Sequence, residues 1–226
     1  MRTLRMPYGA ITAWFNGRMV AACVALVLLL GIATLPSTSR AQTLRIAMLG
    51  DSITAGYGLK PQEALPVKLE AALKAAGRDI AVVNHGVSGD TTAGGLARLD
   101  WMMGDKPRLV LVALGGNDAL RGTDPAETER NLDAIIAKLK AEGAAVMLFG
   151  MAAPRNYGPE YTKAFDGLYP RLAEKHKIPL YPFLLDGVAM ERELNQADGI
   201  HPNVKGVDIL VTRIAPAVLK ALDALK

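Results

Sequence analysis

The sequence predicts an α/β fold: a single three-layer domain built on a mostly parallel five-stranded sheet. Three observations carry this. Apolar runs of strand length, such as Arg108 to Leu114 (RLVLVAL), are too continuously hydrophobic for a sheet with one wet face and suit parallel strands covered on both sides. Amphipathic stretches alternate with these runs, a pattern that packs as a parallel sheet with right-handed crossovers. No repeat, charge block or linker interrupts residues 42–226, so the elements are expected to share one core.

In chain order, the first strand covers Leu44–Leu49. A helix near Val67–Ala76 follows, with Leu69, Ala72, Leu73 and Ala76 on one face and Gly77 ending it. Ile80–Val83 is the second strand and Arg108–Leu114 the third. Asp124-Pro125-Ala126-Glu127 opens a helix with proline at its first position and glutamate placed to cap back, and Leu132, Ile135, Ile136 and Leu139 keep helical spacing until Gly143. Ala145–Phe149 supplies the fourth strand and Ile178–Tyr181 the fifth. The last segment, Val207 to Leu225, carries Leu210, Val211, Ile214, Val218, Leu222 and Leu225 at helical spacing, and Pro216 is expected to kink or split it.

Residues 1–41 are read apart from this domain. They hold Arg2, Arg5 and Arg18, then the apolar run Met19 to Ala33, then Pro36 and a small-x-small sequence at Ser39-Arg40-Ala41, the pattern of a cleaved export signal. The run is shorter than a spanning helix needs. The segment contains four of the 26 Lys and Arg and none of the 22 Asp and Glu, so residues 42–226 are neutral overall and ask for neither nucleic acid nor an anionic surface as partner. The single cysteine, Cys23, leaves with the signal, removing disulfides, thiolate metal ligands and a cysteine nucleophile from consideration. The expected product is an exported, periplasmic or secreted monomer with no stable membrane insertion.

Three strands run into one kind of chemistry. Leu49 leads to Gly50-Asp51-Ser52, Val83 to Asn84-His85-Gly86-Val87-Ser88-Gly89-Asp90, and Leu114 to Gly115-Gly116-Asn117-Asp118. In a parallel sheet these exits share the edge where ligands gather. Glycine lets the backbone turn and bring N–H groups close, while serine and asparagine are small donors able to converge on one acceptor. Far along the chain, Asp198-Gly199-Ile200-His201-Pro202 places a carboxylate where a tight turn brings it to one nitrogen of a histidine, as a general base requires.

With these blocks the chain resembles the SGNH or GDSL serine hydrolases, in the branch of bacterial acyl-CoA thioesterase, lysophospholipase and arylesterase enzymes. The resemblance is carried by GDSIT (Gly50 to Thr54), GVSGDTT (Gly86 to Thr92), GGNDALRG (Gly115 to Gly122) and DGIHPN (Asp198 to Asn203), in the family's order. It implies a flavodoxin-like layer arrangement, with Ser52 as nucleophile, His201 as general base and Asp198 orienting that base. It implies an oxyanion hole made of the Ser52 N–H, the Gly89 N–H and the Asn117 side-chain amide. It implies acyl esters or thioesters as substrates, with no metal and no cofactor. Leu120, Met151 and Tyr157 are expected to border the acyl site. Asp51 and Asp118 are assigned to loop architecture, His85 to loop support, and His176 to a solvated helix end.

Two other classes compete. A metal-dependent phosphoesterase also gathers Asp, Asn and His at strand exits, but residues 42–226 hold only His85, His176 and His201, and no D-x-H pair follows the first strand. An inactive ligand-binding module would keep the pocket and lose Ser52 or His201, yet both are present.

Overall fold

In a computed structural model, residues 43–225 can be described. The export segment expected over residues 1–41 lies outside them. Five parallel strands, β1 (Leu44–Gly50), β2 (Ile80–Gly86), β3 (Leu109–Ala113), β4 (Ala145–Phe149) and β5 (Leu180–Tyr181), pair in the order β2-β1-β3-β4-β5. Every residue of β3 is buried, as its unbroken apolar sequence predicts for a central strand. Register fixes where the exits fall, because Gly50 pairs with Gly86 on one side and Ala113 on the other. The three loops rich in Gly, Ser and Asn therefore leave the sheet at one height.

Helices cover both faces. Helix α1 (Ser52–Ala55) starts one residue beyond β1, and α2 (Leu65–Ala75) connects it to β2. Helices α3 (Thr92–Ala97) and α4 (Leu99–Met103) lead to β3, and α5 (Gly116–Leu120) and α6 (Pro125–Ala141) to β4. Helices α7 (Pro159–Asp166) and α8 (Leu168–His176) lead to β5, and α9 (Val204–Asp223) closes the fold. Helices α2 and α9 pack together, while α6 packs on α3, α7 and α8. Among the described residues no helix is long and apolar enough to cross a membrane.

Pro216 neither splits nor ends the last helix: α9 runs unbroken through it. Interior proline disfavours a helix by about 3 kcal/mol, but Leu210, Ile214 and Val218 on the same helix are fully buried, and burying each such side chain is worth about 1.5–3 kcal/mol. Tertiary packing outweighs the lost backbone bond. His176 is likewise not a solvated end. Its side chain is mostly buried, with Nε2 2.6 Å from Asp133 Oδ1 on α6. Helices α7 and α8, which no clean period announces, are interrupted by Gly167 and carry Pro170 in a first turn, where a missing N–H does little harm.

Candidate active site

The exit of β1 sets the site. Asp51 caps α1, its Oδ1 accepting the Ile53 N–H at 3.0 Å, and Ser52 is the first residue of the helix. The turn is tight enough to need bare backbone beside it. A Cβ on Gly86 would stand 2.1 Å from the Ala55 nitrogen, and one on Gly50 would meet the Thr54 hydroxyl. Helix α1 thus rests directly on the ends of β1 and β2.

Ser52 and His201, 149 positions apart, meet here: Ser52 Oγ lies 2.8 Å from His201 Nε2. His201 Nδ1 lies 2.7 Å from Asp198 Oδ2. Asp198 Oδ1 also accepts the backbone N–H groups of Ile200 at 2.9 Å and His201 at 3.0 Å. Those bonds, that of the His201 N–H foremost, hold the Asp198 carboxyl down at about 2, so it stays ionised beside the imidazole. A hydroxyl, an imidazole and an anchored carboxylate in line can move a proton from the oxygen to the ring and steady the cation that results.

The histidine loop is held from several sides. Gln196 donates its N–H to the His201 carbonyl at 2.8 Å and its side-chain amide to the Tyr57 carbonyl at 2.7 Å, tying the loop to the chain leaving α1. The Tyr57 ring lies 4.7 Å from the imidazole. Asn203, rather than Asp198 or His201, caps α9.

The other sequence-predicted residues divide. Among the described residues no acceptor takes the N–H of Ser52 or of Gly89, which sits at a φ of 80° that favours glycine. The Asn117 amide donates to the Asp90 carbonyl at 2.9 Å and reaches Asp51 Oδ2 at 3.4 Å. An open cleft of about 770 Å3 extends from Ser52 and His201, and Leu120, Met151, Phe183, Leu185, Met190 and Ile200 form its apolar walls. Tyr157 stands outside that wall. It packs on Tyr161 and donates its hydroxyl to the Leu120 carbonyl at 2.9 Å, so it touches a wall residue rather than the cleft.

The acids near the site do different things. Asp118 binds Thr92 twice, accepting its N–H at 2.9 Å and its hydroxyl at 2.6 Å, and so ties the third block to the second. Asp51 goes further than capping: it is buried, lines the cleft, and burial pushes its carboxyl up to about 6. His85 pairs with Asp105 at 2.8 Å, away from the cleft, and burial lowers its basicity. No three His, Cys, Asp or Glu side chains among the described residues come together in a way that could hold a metal ion.

Sequence reasoning passed over three supporting residues. Tyr169 is fully buried on α8 and donates to the Leu114 carbonyl at 3.0 Å, where Gly115, at a φ of 114°, has no room for a Cβ. Gln196 is the second and Arg98 the third. Arg98 donates to Asp90 at 2.7 Å and to the Gly50 carbonyl at 3.0 Å. None of the three sits in a motif, and only their three-dimensional partners give them meaning.

Residues 48–209 match the model of the GDSL-like lipase/acylhydrolase family, which covers well over half of the chain. The chain belongs to that family. It is 41% identical over 201 residues, 88% of this chain and 96% of the relative, to the esterase TesA of Pseudomonas aeruginosa. It is 38% identical to the arylesterase of Vibrio mimicus (79% of this chain, 90% of the relative). It is 43% identical to thioesterase 1/protease 1/lysophospholipase L1 of Escherichia coli K12 (70% and 75%). Among solved structures, the esterase EstA of Pseudoalteromonas sp., crystallised inhibited by monoethylphosphonate, superposes with a TM-score of 0.76 at 33% identity (79% of this chain, 98% of that one). A GDSL-type hydrolase thus has the five-stranded sheet that its sequence predicts, with every pairing parallel where the expectation is a mostly parallel sheet.

Proposed function

We propose that this GDSL hydrolase is a serine esterase and thioesterase that works through an acyl-enzyme on Ser52. The observation that carries the reading is the unbroken line Ser52–His201–Asp198, at 2.8 and 2.7 Å, drawn from opposite ends of the domain. His201 Nε2 takes the hydroxyl proton as Ser52 Oγ attacks the acyl carbonyl, and Asp198 holds the ring and stabilises the imidazolium. The developing oxyanion is received by the Ser52 N–H, the Gly89 N–H and the Asn117 amide hydrogen not given to the Asp90 carbonyl, which exchanges its long contact with Asp51 for the substrate oxygen. His201 then protonates the leaving oxygen or sulfur, the acyl group remains on Ser52, and a water activated by the same imidazole releases the acid. The substrates are aryl esters, acyl thioesters and lysophospholipids, with the acyl chain along the apolar cleft of Leu120, Met151 and Ile200.

The test is hydrolysis of p-nitrophenyl and acyl-CoA esters by purified protein. Ser52→Ala and His201→Ala should each lose turnover by more than about 10⁴-fold, and a phosphonate should label Ser52 alone. Turnover at the wild-type level in either variant overturns the scheme. Residues 1–41 are proposed as an export signal that directs the enzyme to the periplasm or beyond. N-terminal sequencing of exported protein should find a start near Gln42, and an intact Met1 overturns that part.

A further inference from the structure

We propose that Arg98 is the positioning residue of this hydrolase, a single guanidinium that holds the three oxyanion donors in register with one another. The inference rests on the esterase reading above and goes beyond it, because Arg98 touches neither the cleft nor the reacting groups.

Arg98 lies between α3 and α4, outside every motif. Its Nε donates to Asp90 Oδ2 at 2.7 Å, and its Nη2 donates to the Gly50 carbonyl at 3.0 Å. Each end of this clip belongs to a different donor. Gly50 precedes Asp51 and Ser52, so its carbonyl sets the backbone that presents the Ser52 N–H. Asp90 follows Gly89, and its own carbonyl accepts the Asn117 amide at 2.9 Å. The Gly50 carbonyl also accepts the Val87 N–H at 3.1 Å, and Asp90 donates its N–H to Val87 at 3.0 Å, so the loop holding Gly89 closes on the same two anchors. Three segments that meet at one small oxygen are thereby joined through one ion pair.

The surroundings are shaped for it. The Arg98 and Asp90 side chains are 18% and 10% exposed, and Arg98 Nη1 is buried with no hydrogen-bond partner among the described residues. A charged side chain is kept in that place although one of its donors goes unused, which pure packing does not require. Gly94 completes the seat, since a Cβ there would stand 1.9 Å from Asp90 Oδ1. A guanidinium suits the task because its planar fork reaches a carboxylate and a carbonyl in one fixed geometry. A lysine ammonium can keep the charge beside Asp90 without reproducing that spacing.

Preorganisation is sensitive to such spacing: misplacing reacting groups by about 1 Å can lower rates about 10²-fold, and losing one oxyanion donor does about the same. The experiment compares Arg98→Lys and Arg98→Met with wild type on a p-nitrophenyl ester, with active sites counted by phosphonate labelling carried to completion. A merely structural role reduces the number of competent sites and leaves each of them as fast as before. A positioning role lowers kcat per labelled site by about 10- to 100-fold, with KM within about threefold. Arg98→Lys decides alone should Arg98→Met fail to fold, because it keeps a cation beside Asp90. A kcat per site within about threefold of wild type in Arg98→Lys, or a change confined to KM, overturns the proposal. Failure of the esterase reading is distinguishable, since wild type itself would then leave the ester intact.

Discussion

Asp51 offers a quantitative test of how the site is built. Asparagine at this position keeps the size and caps a helix as well as aspartate does, while deleting the charge. Burial pushes the Asp51 carboxyl from its ordinary 3.8 to about 6, and the Ile53 N–H and His201 oppose this without cancelling it. A carboxyl raised in the fold binds its proton more tightly there than in the unfolded chain. Its favourable contribution is fully present below about pH 4 and is lost as pH rises through 6. At about 1.4 kcal/mol per pH unit, the interval from 3.8 to 6 gives about 2–3 kcal/mol between pH 4 and 8. For a domain of this size each kcal/mol moves Tm by about 2–4 °C, so the Tm of Asp51→Asn relative to wild type should rise by about 5–10 °C across that range. Thermal denaturation of both proteins at pH 4, 6 and 8 measures this, and taking the difference removes the other titrating groups. A Tm gap that stays constant across those pH values refutes the argument, because Asp51 would then ionise as freely in the fold as outside it.

Further expectations concern the neighbouring parts. Asn117→Ala should lower kcat about 10²- to 10³-fold with KM little changed, read by steady-state kinetics on a p-nitrophenyl ester. Asp198→Asn should lower kcat by about 10³- to 10⁴-fold. Because the Asp198 carboxyl is held down at about 2, whatever stability it adds should persist unchanged from pH 8 to about pH 4 and be lost only as pH falls towards 2, which acid denaturation of the two proteins can follow. Gly86→Ala should destabilise by about 1–3 kcal/mol and lower activity as well, because the added carbon meets the Ala55 nitrogen at 2.1 Å and displaces the helix bearing Ser52. Lengthening the acyl chain should raise kcat/KM about fourfold per methylene, or about 0.8 kcal/mol, until the apolar cleft is filled.

Much of this molecule is legible in its sequence where one local rule governs a segment. The unbroken hydrophobicity of Leu109–Ala113 marks a central parallel strand, and Asp124-Pro125 marks the start of α6 to the residue. Pro216 shows the limit of a local rule, for its helix-breaking tendency is real and is overridden by contacts no local window contains. His176 departs from its sequence expectation for the same reason, since the polar run Glu174 to Lys177 looks solvated until Asp133 arrives from another helix. At the site, Ser52, Asp198 and His201 stand in small-residue blocks that announce themselves. Arg98, Gln196 and Tyr169 act through carbonyls and carboxylates contributed by other segments, and no spacing rule predicts such partners.

Much of the cleft wall and the three proposed oxyanion donors come from different parts of the sheet. Ser52, Gly89 and Asn117 follow β1, β2 and β3, whereas Met151 to Asn156 follow β4 and Phe183 to Met190 follow β5. Exposed positions in those last two loops, Asn156 and Met190 among them, can therefore change without touching the three donors. A lineage built this way can exchange one acyl preference for another at such exposed positions, and a designer can graft new ones there with the same licence.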